Sequence, residues 1–226
     1  MLIPIKNVLN HNEIQQAQQW LEAGRWQDGK ATAGGIAAQV KNNLQLDDQC
    51  QQAKQLQQLI VARLNQCPQF IAAALPAKLY PPKFNCYQNG GHYGAHVDGS
   101  IMTLPDQSQL RTDVSCTLFL TEPGDYAGGE LCIEGQYGLQ EVKLSAGDLI
   151  LYPATSLHQV KPVTEGKRVC AFFWAQSLVK NSEQRSHLYD LDNTIQSLTH
   201  QLGANHSDII ALSGLYHNLV RQWTTT

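Results

Sequence analysis

The stretch from about residue 80 to residue 177 constrains the fold most. It is a series of short strand-forming runs separated by Gly- and Pro-containing turns: "PPKFNCYQN", "DVSCTLFLT", "GGELCIEG", "LQEVKL", "GDLILYP", "HQVKPV" and "KRVCAFFWAQ". Branched and aromatic side chains favour strands because they pack well on a pleated surface. "GGELCIEG" and "LQEVKL" flank a turn at Gln136-Tyr137-Gly138 and are expected to pair as a hairpin. Many short strands bury their apolar faces best as two packed or closed sheets. The expected core is therefore a double-sheet jelly roll or a related barrel.

Helical patterns bracket this zone. Ile14, Ala17, Trp20 and Leu21 recur at helical spacing and stop at Gly24. Cys50, Ala53, Leu56, Ile60 and Leu64 repeat the pattern. After residue 180, helices are expected to be capped at Ser186 and Ser207 and broken at Gly203. Their stripes, Ile195, Leu198 and Leu202 on one and Ile209, Leu212, Leu215 and Leu219 on the other, either cover the parent domain or form a homodimer interface. The chain is thus read as mainly β with flanking helices (α+β). Residues 1–80 form a helical support, 80–177 the jelly-roll core, and 178–226 a C-terminal helical extension.

The formal net charge is −3, without a long run of one sign, so neither a nucleic acid nor a membrane surface is an expected partner. The start "MLIPIKNVLNHNEI" lacks the basic and apolar regions of a signal peptide, and the expected location is the cytoplasm. None of the six cysteines lies in a CxxC pair. Cys116, Cys132 and Cys170 sit inside apolar strand-like runs, as small buried residues do.

"NGGHYGAHVDGS", residues 89–100, places His96 and Asp98 two apart. On a strand, such residues share a face. Of the remaining histidines, His158 alone opens a core strand; His92 lies in the glycine turn and is expected, with Tyr93, to shape the turn or the mouth of a site. Two imidazoles and one carboxylate are the facial triad of non-haem iron(II) oxygenases, which leaves positions open for substrate and oxygen. Arg168 follows ten residues after His158, in a strand whose two alternating faces are both apolar. A guanidinium there is costly unless an anion meets it, and a carboxylate can do so through two parallel hydrogen bonds.

His96-x-Asp98, His158 and Arg168, together with "GGEL" at 128–131 and "GDLILYP" at 147–153, resemble the prolyl/lysyl-hydroxylase-like branch of the iron(II)/2-oxoglutarate dioxygenases. "LYDLD" and "YHNLVRQW" extend the resemblance over nearly the whole chain, to the bacterial PKHD-type hydroxylases. That resemblance implies a double-stranded β-helix, with His96, Asp98 and His158 as ligands of Fe(2+) and also the catalytic residues. It implies Arg168 as the anchor of 2-oxoglutarate, and Tyr87, nine residues before His96, as a second contact to the same carboxylate. It implies hydroxylation, since related halogenases have a small residue where Asp98 stands. L-ascorbate to keep the iron reduced, molecular oxygen, and a peptide side chain or a small molecule linked to iron uptake complete the expected set. The alternative is a cupin-like metal protein or isomerase, which has no need of Arg168 at this spacing.

Residues 100–113, "SIMTLPDQSQLRTD", follow Asp98 without a sustained period and are expected to be an irregular, mobile lid over the site, the alternative being a well-packed hairpin arm that does not change on binding. Met102 and Leu104 would touch the substrate, and Arg111 would meet an anionic group on it.

Overall fold

A computed structural model describes residues 1–32, 39–135 and 138–225. The major sheet is antiparallel. Its order is β1 (Ile3–Ile5), β14 (Leu149–Pro153), β10 (Val114–Phe119), β16 (Val163–Ser177), β6 (Lys83–Gln88), β4 (Leu44–Leu46) and β2 (Trp26–Asp28). β5 (Pro76–Leu79) and β11 (Tyr126–Gly128) also pair with the long β16. The minor sheet runs β13 (Gly138–Val142), β12 (Leu131–Gly135), β15 (His158–Val160), β7 (His92–His96) and β3 (Lys41–Asn42). Gly135 pairs with Gly138 across the expected hairpin, whose turn residues 136 and 137 lie outside the described residues.

The alternation along β16 assigns its two faces. Val169, Ala171, Phe173 and Ala175 join Phe84, Cys86, Leu149 and Leu151 in one cluster. Helices α1 (His11–Ala23), α2 (Gln51–Asn65) and α3 (Pro68–Ala74) complete that cluster with Ile14, Leu21, Leu56, Ile60 and Phe70. The opposite face of the same sheet carries Tyr87, Phe119, Ile150 and Cys170, which pack against Leu131, Ile133 and Val160 of the minor sheet. The major sheet is therefore apolar on both sides, between helices and the jelly-roll interior. All six cysteines are free, and Cys86, Cys116, Cys132 and Cys170 are buried. Among the described residues, no helix is long and apolar enough to cross a membrane.

The N-terminal stretch supplies more than helices. β1, β2 and β4 extend the major sheet and β3 joins the minor one. These strands are two or three residues long, too short to show a period.

Two C-terminal helices follow, α4 (Ser182–Leu202) and α5 (Ser207–Trp223). The expected caps at Ser186 and Ser207 are corrected. Asn181 caps α4, its side chain accepting from the backbone N–H of Glu183 and Gln184, while Ser186 lies inside the helix and donates to the Ser182 carbonyl. His206 caps α5 by accepting from the Asp208 N–H, so Ser207 is the first helical residue. The break at Gly203 is present, with φ 84°. Leu188 of α4 packs with Leu75 and Val179, against Tyr216, Leu219, Val220 and Trp223 of α5. Of the expected stripes, Ile195 and Ile209 are buried but Leu202 and Leu215 are exposed.

Arg185 ties α4 to the core. It is 2% exposed. Its guanidinium donates to the carbonyls of Val179, Lys180 and Asp113. Arg185→Leu removes all three bonds and leaves the buried Val179 carbonyl without this donor, while the Asp113 carbonyl keeps the Ala154 N–H, which should cost about 1–3 kcal/mol of stability. Urea unfolding of the two proteins measures the difference; a loss under about 0.5 kcal/mol would mean that this contact does not hold the helix.

Candidate active site

β7 ends at His96 and β15 begins at His158, and the two residues are directly paired across the minor sheet. Their ring centroids lie 4.3 Å apart. Asp98 stands two residues beyond His96, just past the strand end. Its Oδ1 is 4.0 Å from His96 Nε2 and 3.8 Å from His158 Nε2. One ligand atom from each of the three residues falls within 4.8 Å of the others. The expected His-x-Asp and distal His are thus brought together from two strands and one strand end.

The orientation of each side chain has a local cause. His96 Nδ1 lies 2.8 Å from the Gly94 carbonyl, and His158 Nδ1 lies 3.0 Å from the Ser156 carbonyl. A carbonyl only accepts, so each Nδ1 carries the proton and each Nε2 presents its lone pair toward Asp98. Burial, with His158 alongside, pushes the His96 pKa down to about 4 and keeps that imidazole neutral. Tyr93 stacks on His96 with centroids 3.7 Å apart. His92 instead turns back to the Gly90 carbonyl at 3.0 Å and takes no part in the triad. The Asp98 carboxylate is divided in use: Oδ1 faces both imidazoles, while Oδ2 accepts the Ser115 hydroxyl at 2.5 Å.

Deeper in the same cavity lies Arg168, 1% exposed. Tyr87 is its partner across the β6–β16 ladder. The Arg168 Cζ lies 5.3 Å from the Tyr87 ring centroid and 5.2 Å from that of Phe119. Nη1 is 3.1 Å from Cys170 Sγ, a weak partner. Among the described residues, Arg168 Nε and Nη2 and the Tyr126 hydroxyl are buried without a hydrogen bond of normal geometry, although the Tyr126 phenol lies beside the guanidinium. Tyr87 accepts from Asn85 Nδ2 at 3.2 Å, and burial raises its pKa, keeping the phenol protonated. The chain reaches over Arg168 through "GGEL". Gly129 has φ +70°, and a Cβ there would sit 2.7 Å from Val163 Cγ2 and 3.0 Å from Arg168 Cδ. Only glycine fits so close to the arginine.

This donor set fits iron(II) and 2-oxoglutarate. Two neutral imidazoles and one carboxylate on one side suit a divalent metal that needs open positions. A buried guanidinium with two unsatisfied N–H groups beside an unsatisfied phenol suits a carboxylate.

Three features of this site escape the sequence. Ser115 and Lys41 reach the cavity from β10 and β3, and neither stands in a motif. Tyr126 follows a turn and gave no signal beyond its ring. Of the two readings of residues 100–113, the structure has the hairpin arm and not an irregular segment. Residues 101–111 form a hairpin of β8 (Ile101–Thr103) and β9 (Gln109–Arg111), with the Leu104 N–H donating to the Ser108 carbonyl at its turn. Leu110 is fully buried with Trp174 and Ala154, and Met102 and Leu104 pack on that cluster. Met102 does line the cavity. Arg111 does not offer itself to a substrate: its Nε and Nη2 donate to the two carboxylate oxygens of Asp113 at 2.7 and 2.9 Å.

Ser115 yields a prediction at this point. Ser115→Ala frees Asp98 Oδ2 and should weaken metal binding by roughly 10–100-fold, the usual effect of removing a group that orients a metal ligand. Ser115→Thr should restore most of it. Cobalt(II) titration measures both; equal affinity in the Ala protein would show that the hydroxyl does not orient Asp98.

Comparison with known proteins identifies the family. Residues 82–176 match the 2OG-Fe(II) oxygenase superfamily and residues 183–225 match the PKHD-type hydroxylase C-terminal domain. A PKHD-type hydroxylase of Pseudoalteromonas atlantica is 54% identical over 226 residues, 100% of each chain. One of Acidovorax ebreus is 51% identical over 99% of each. Among solved structures, a Pseudomonas putida prolyl-4-hydroxylase has a TM-score of 0.53 at 19% identity, covering 77% of this chain and 92% of that one. The 2-oxoglutarate-dependent carbocyclase SnoK of nogalamycin biosynthesis has a TM-score of 0.56 at 14% identity, covering 79% and 80%. These two likenesses bear on the fold, which is the jelly roll of 2-oxoglutarate oxygenases. With half of all positions shared along its full length, the chain belongs to the PKHD-type hydroxylases, enzymes that depend on iron and 2-oxoglutarate.

Proposed function

We propose that His96, Asp98 and His158 hold the iron(II) and that Arg168, with Tyr87 beside it, binds the far carboxylate of 2-oxoglutarate. The observation that supports this most is the convergence of three ligand atoms within 4.8 Å, in one cavity with a buried guanidinium whose Nε and Nη2 have no hydrogen-bond partner among the described residues. When bound, iron(II) and 2-oxoglutarate supply the oxidation of an unactivated C–H bond by oxygen, with release of succinate and carbon dioxide. The protein's own part is placement. The Gly94 and Ser156 carbonyls fix the imidazole rings, Ser115 holds Asp98, and the walls exclude water. Tyr126, whose hydroxyl is buried and unsatisfied, joins Tyr87 as a donor to the cosubstrate carboxylate.

In this reading the chain works in the cytoplasm on a peptide side chain or a small molecule, and L-ascorbate keeps the iron reduced. The exposed Leu202, Ile210 and Leu215 of the C-terminal helices would meet a second copy. Division into a supporting N-terminal part, a core over 80–177 and a helical extension over 178–226 follows the same reading.

Succinate formation tests the reaction. With iron(II), 2-oxoglutarate, ascorbate and oxygen together, succinate should accumulate, and removal of iron or oxygen should stop it. Succinate formed without iron, or none formed with all four, contradicts the reading and favours a metal protein of the cupin kind.

A further inference from the structure

Tyr87 is held by an asparagine that no motif marks. Asn85 lies two residues before Tyr87 on β6, and both side chains line the cavity. Asn85 is 4% exposed and is paired on its two sides with Cys170 of β16 and Gln45 of β4. Its Nδ2 donates to the Tyr87 hydroxyl at 3.2 Å. That is the one hydrogen bond its side chain makes among the described residues, and its Oδ1 is buried without a partner. A buried amide costs stability unless its polar groups are bonded. Packing alone would favour an apolar side chain at this position, so it does not account for an asparagine here.

The direction of the hydrogen bond does. A phenol has one proton to give and lone pairs that accept. Asn85 Nδ2 meets the oxygen as a donor and takes no proton from it. A second buried amide, that of Asn43, lies beside the same phenol and also acts as a donor toward it. Burial raises the Tyr87 pKa, so the phenol keeps its proton. Neither amide, as a donor, accepts that proton, which is left for an acceptor inside the cavity. Arg168 is the partner of Tyr87 across the β6–β16 ladder, with Cζ 5.3 Å from the ring centroid. A guanidinium has no acceptor atom. A group that takes the Tyr87 proton and also satisfies Arg168 must carry acceptor oxygens and negative charge, as a carboxylate does. Had Oδ1 faced the phenol, the amide would draw the proton away, and Tyr87 would turn a lone pair toward the carboxylate instead.

We propose that Asn85 is a positioning residue: by donating to the Tyr87 oxygen it turns the Tyr87 O–H toward the far carboxylate of 2-oxoglutarate. This rests on the reading of Tyr87 and Arg168 given above.

The test is a double-mutant cycle, read by calorimetric titration of 2-oxoglutarate into the cobalt(II)-loaded proteins under argon. Tyr87→Phe removes the donor itself and should weaken 2-oxoglutarate by about 10–100-fold, as for a hydrogen bond to a charged group. Asn85→Leu keeps the size of the side chain but not its N–H, and should weaken 2-oxoglutarate by about 3–10-fold. In the Tyr87→Phe background the same Asn85→Leu change should alter affinity by less than about twofold, because no O–H remains to be turned. Cobalt(II) should bind all four proteins equally well. Asn85→Ala gives the same comparison if the leucine protein does not fold. Equal loss from Asn85→Leu in both backgrounds, or a parallel loss of cobalt(II) affinity, would make Asn85 a structural residue and overturn the proposal. Tighter binding of 2-oxoglutarate by Asn85→Leu would also overturn it, since the amide oxygen would then be the atom that faces the phenol. A loss in Tyr87→Phe with none in Asn85→Leu would remove Asn85 alone, whereas no loss in Tyr87→Phe would overturn the reading of Tyr87 and this proposal with it.

Discussion

His158→Ala should leave the protein folded and almost free of iron. His158 is paired with His96 in the minor sheet, its Nδ1 is tied to the Ser156 carbonyl, and its Nε2 is left facing Asp98. Removing it takes away one of three protein ligands. The loss in affinity should exceed the roughly 10–100-fold that follows loss of a group that merely orients a ligand. The two groups that remain, His96 and Asp98, cannot restore facial geometry. Iron content after desalting, measured beside a thermal unfolding curve, checks the result. One iron per chain retained at wild-type affinity would remove His158 from the site.

Arg168→Leu should have the opposite selectivity, keeping iron and losing 2-oxoglutarate. The side chain is enclosed by Tyr87 and Phe119, and two of its nitrogens are unsatisfied. Breaking a charged, desolvated contact costs about 2–5 kcal/mol, or at least about 30-fold in affinity. Leucine is apolar and suits a pocket walled by rings, so the fold should survive. Arg168→Lys should recover only part of the affinity, because an ammonium cannot form the two-bond fork. Calorimetric titration of 2-oxoglutarate into the metal-loaded proteins separates the outcomes. Parallel loss of metal and cosubstrate would reduce Arg168 to a structural residue.

Much of this arrangement is legible in the sequence, for identifiable reasons. β16 is long enough to show its alternation, and Arg168 stands out because both faces of that strand are otherwise apolar. His96 and Asp98 can be read from their spacing of two, and His158 from its place at the start of a strand, although His92 opens β7 as well and is set aside only by its turn back to Gly90. Other parts depend on pairing between distant segments, which leaves no local trace. Lys41 precedes His96 by more than fifty residues and reaches the cavity only through the β3–β7 ladder. Ser115 looks like any polar residue in a strand until Asp98 is seen against it. The hairpin over 101–111 has strands of three residues, too short for a period, and it is ordered by Leu110 packing under Trp174. Asn181 competes with serines of similar capping strength, and His206 caps α5 although serine is the stronger capping residue, so the sequence favours the wrong position there.

In the proposed arrangement, one metal and one 2-oxoglutarate share the cavity between His96 and Arg168. Crystals grown without oxygen, with iron(II) and 2-oxoglutarate, test it through anomalous diffraction on both sides of the iron absorption edge. One iron peak per chain is expected, in contact with His96 Nε2, His158 Nε2 and Asp98 Oδ1, with a carboxylate on the guanidinium of Arg168. Iron bound elsewhere on the chain, or 2-oxoglutarate bound away from Arg168, would contradict it.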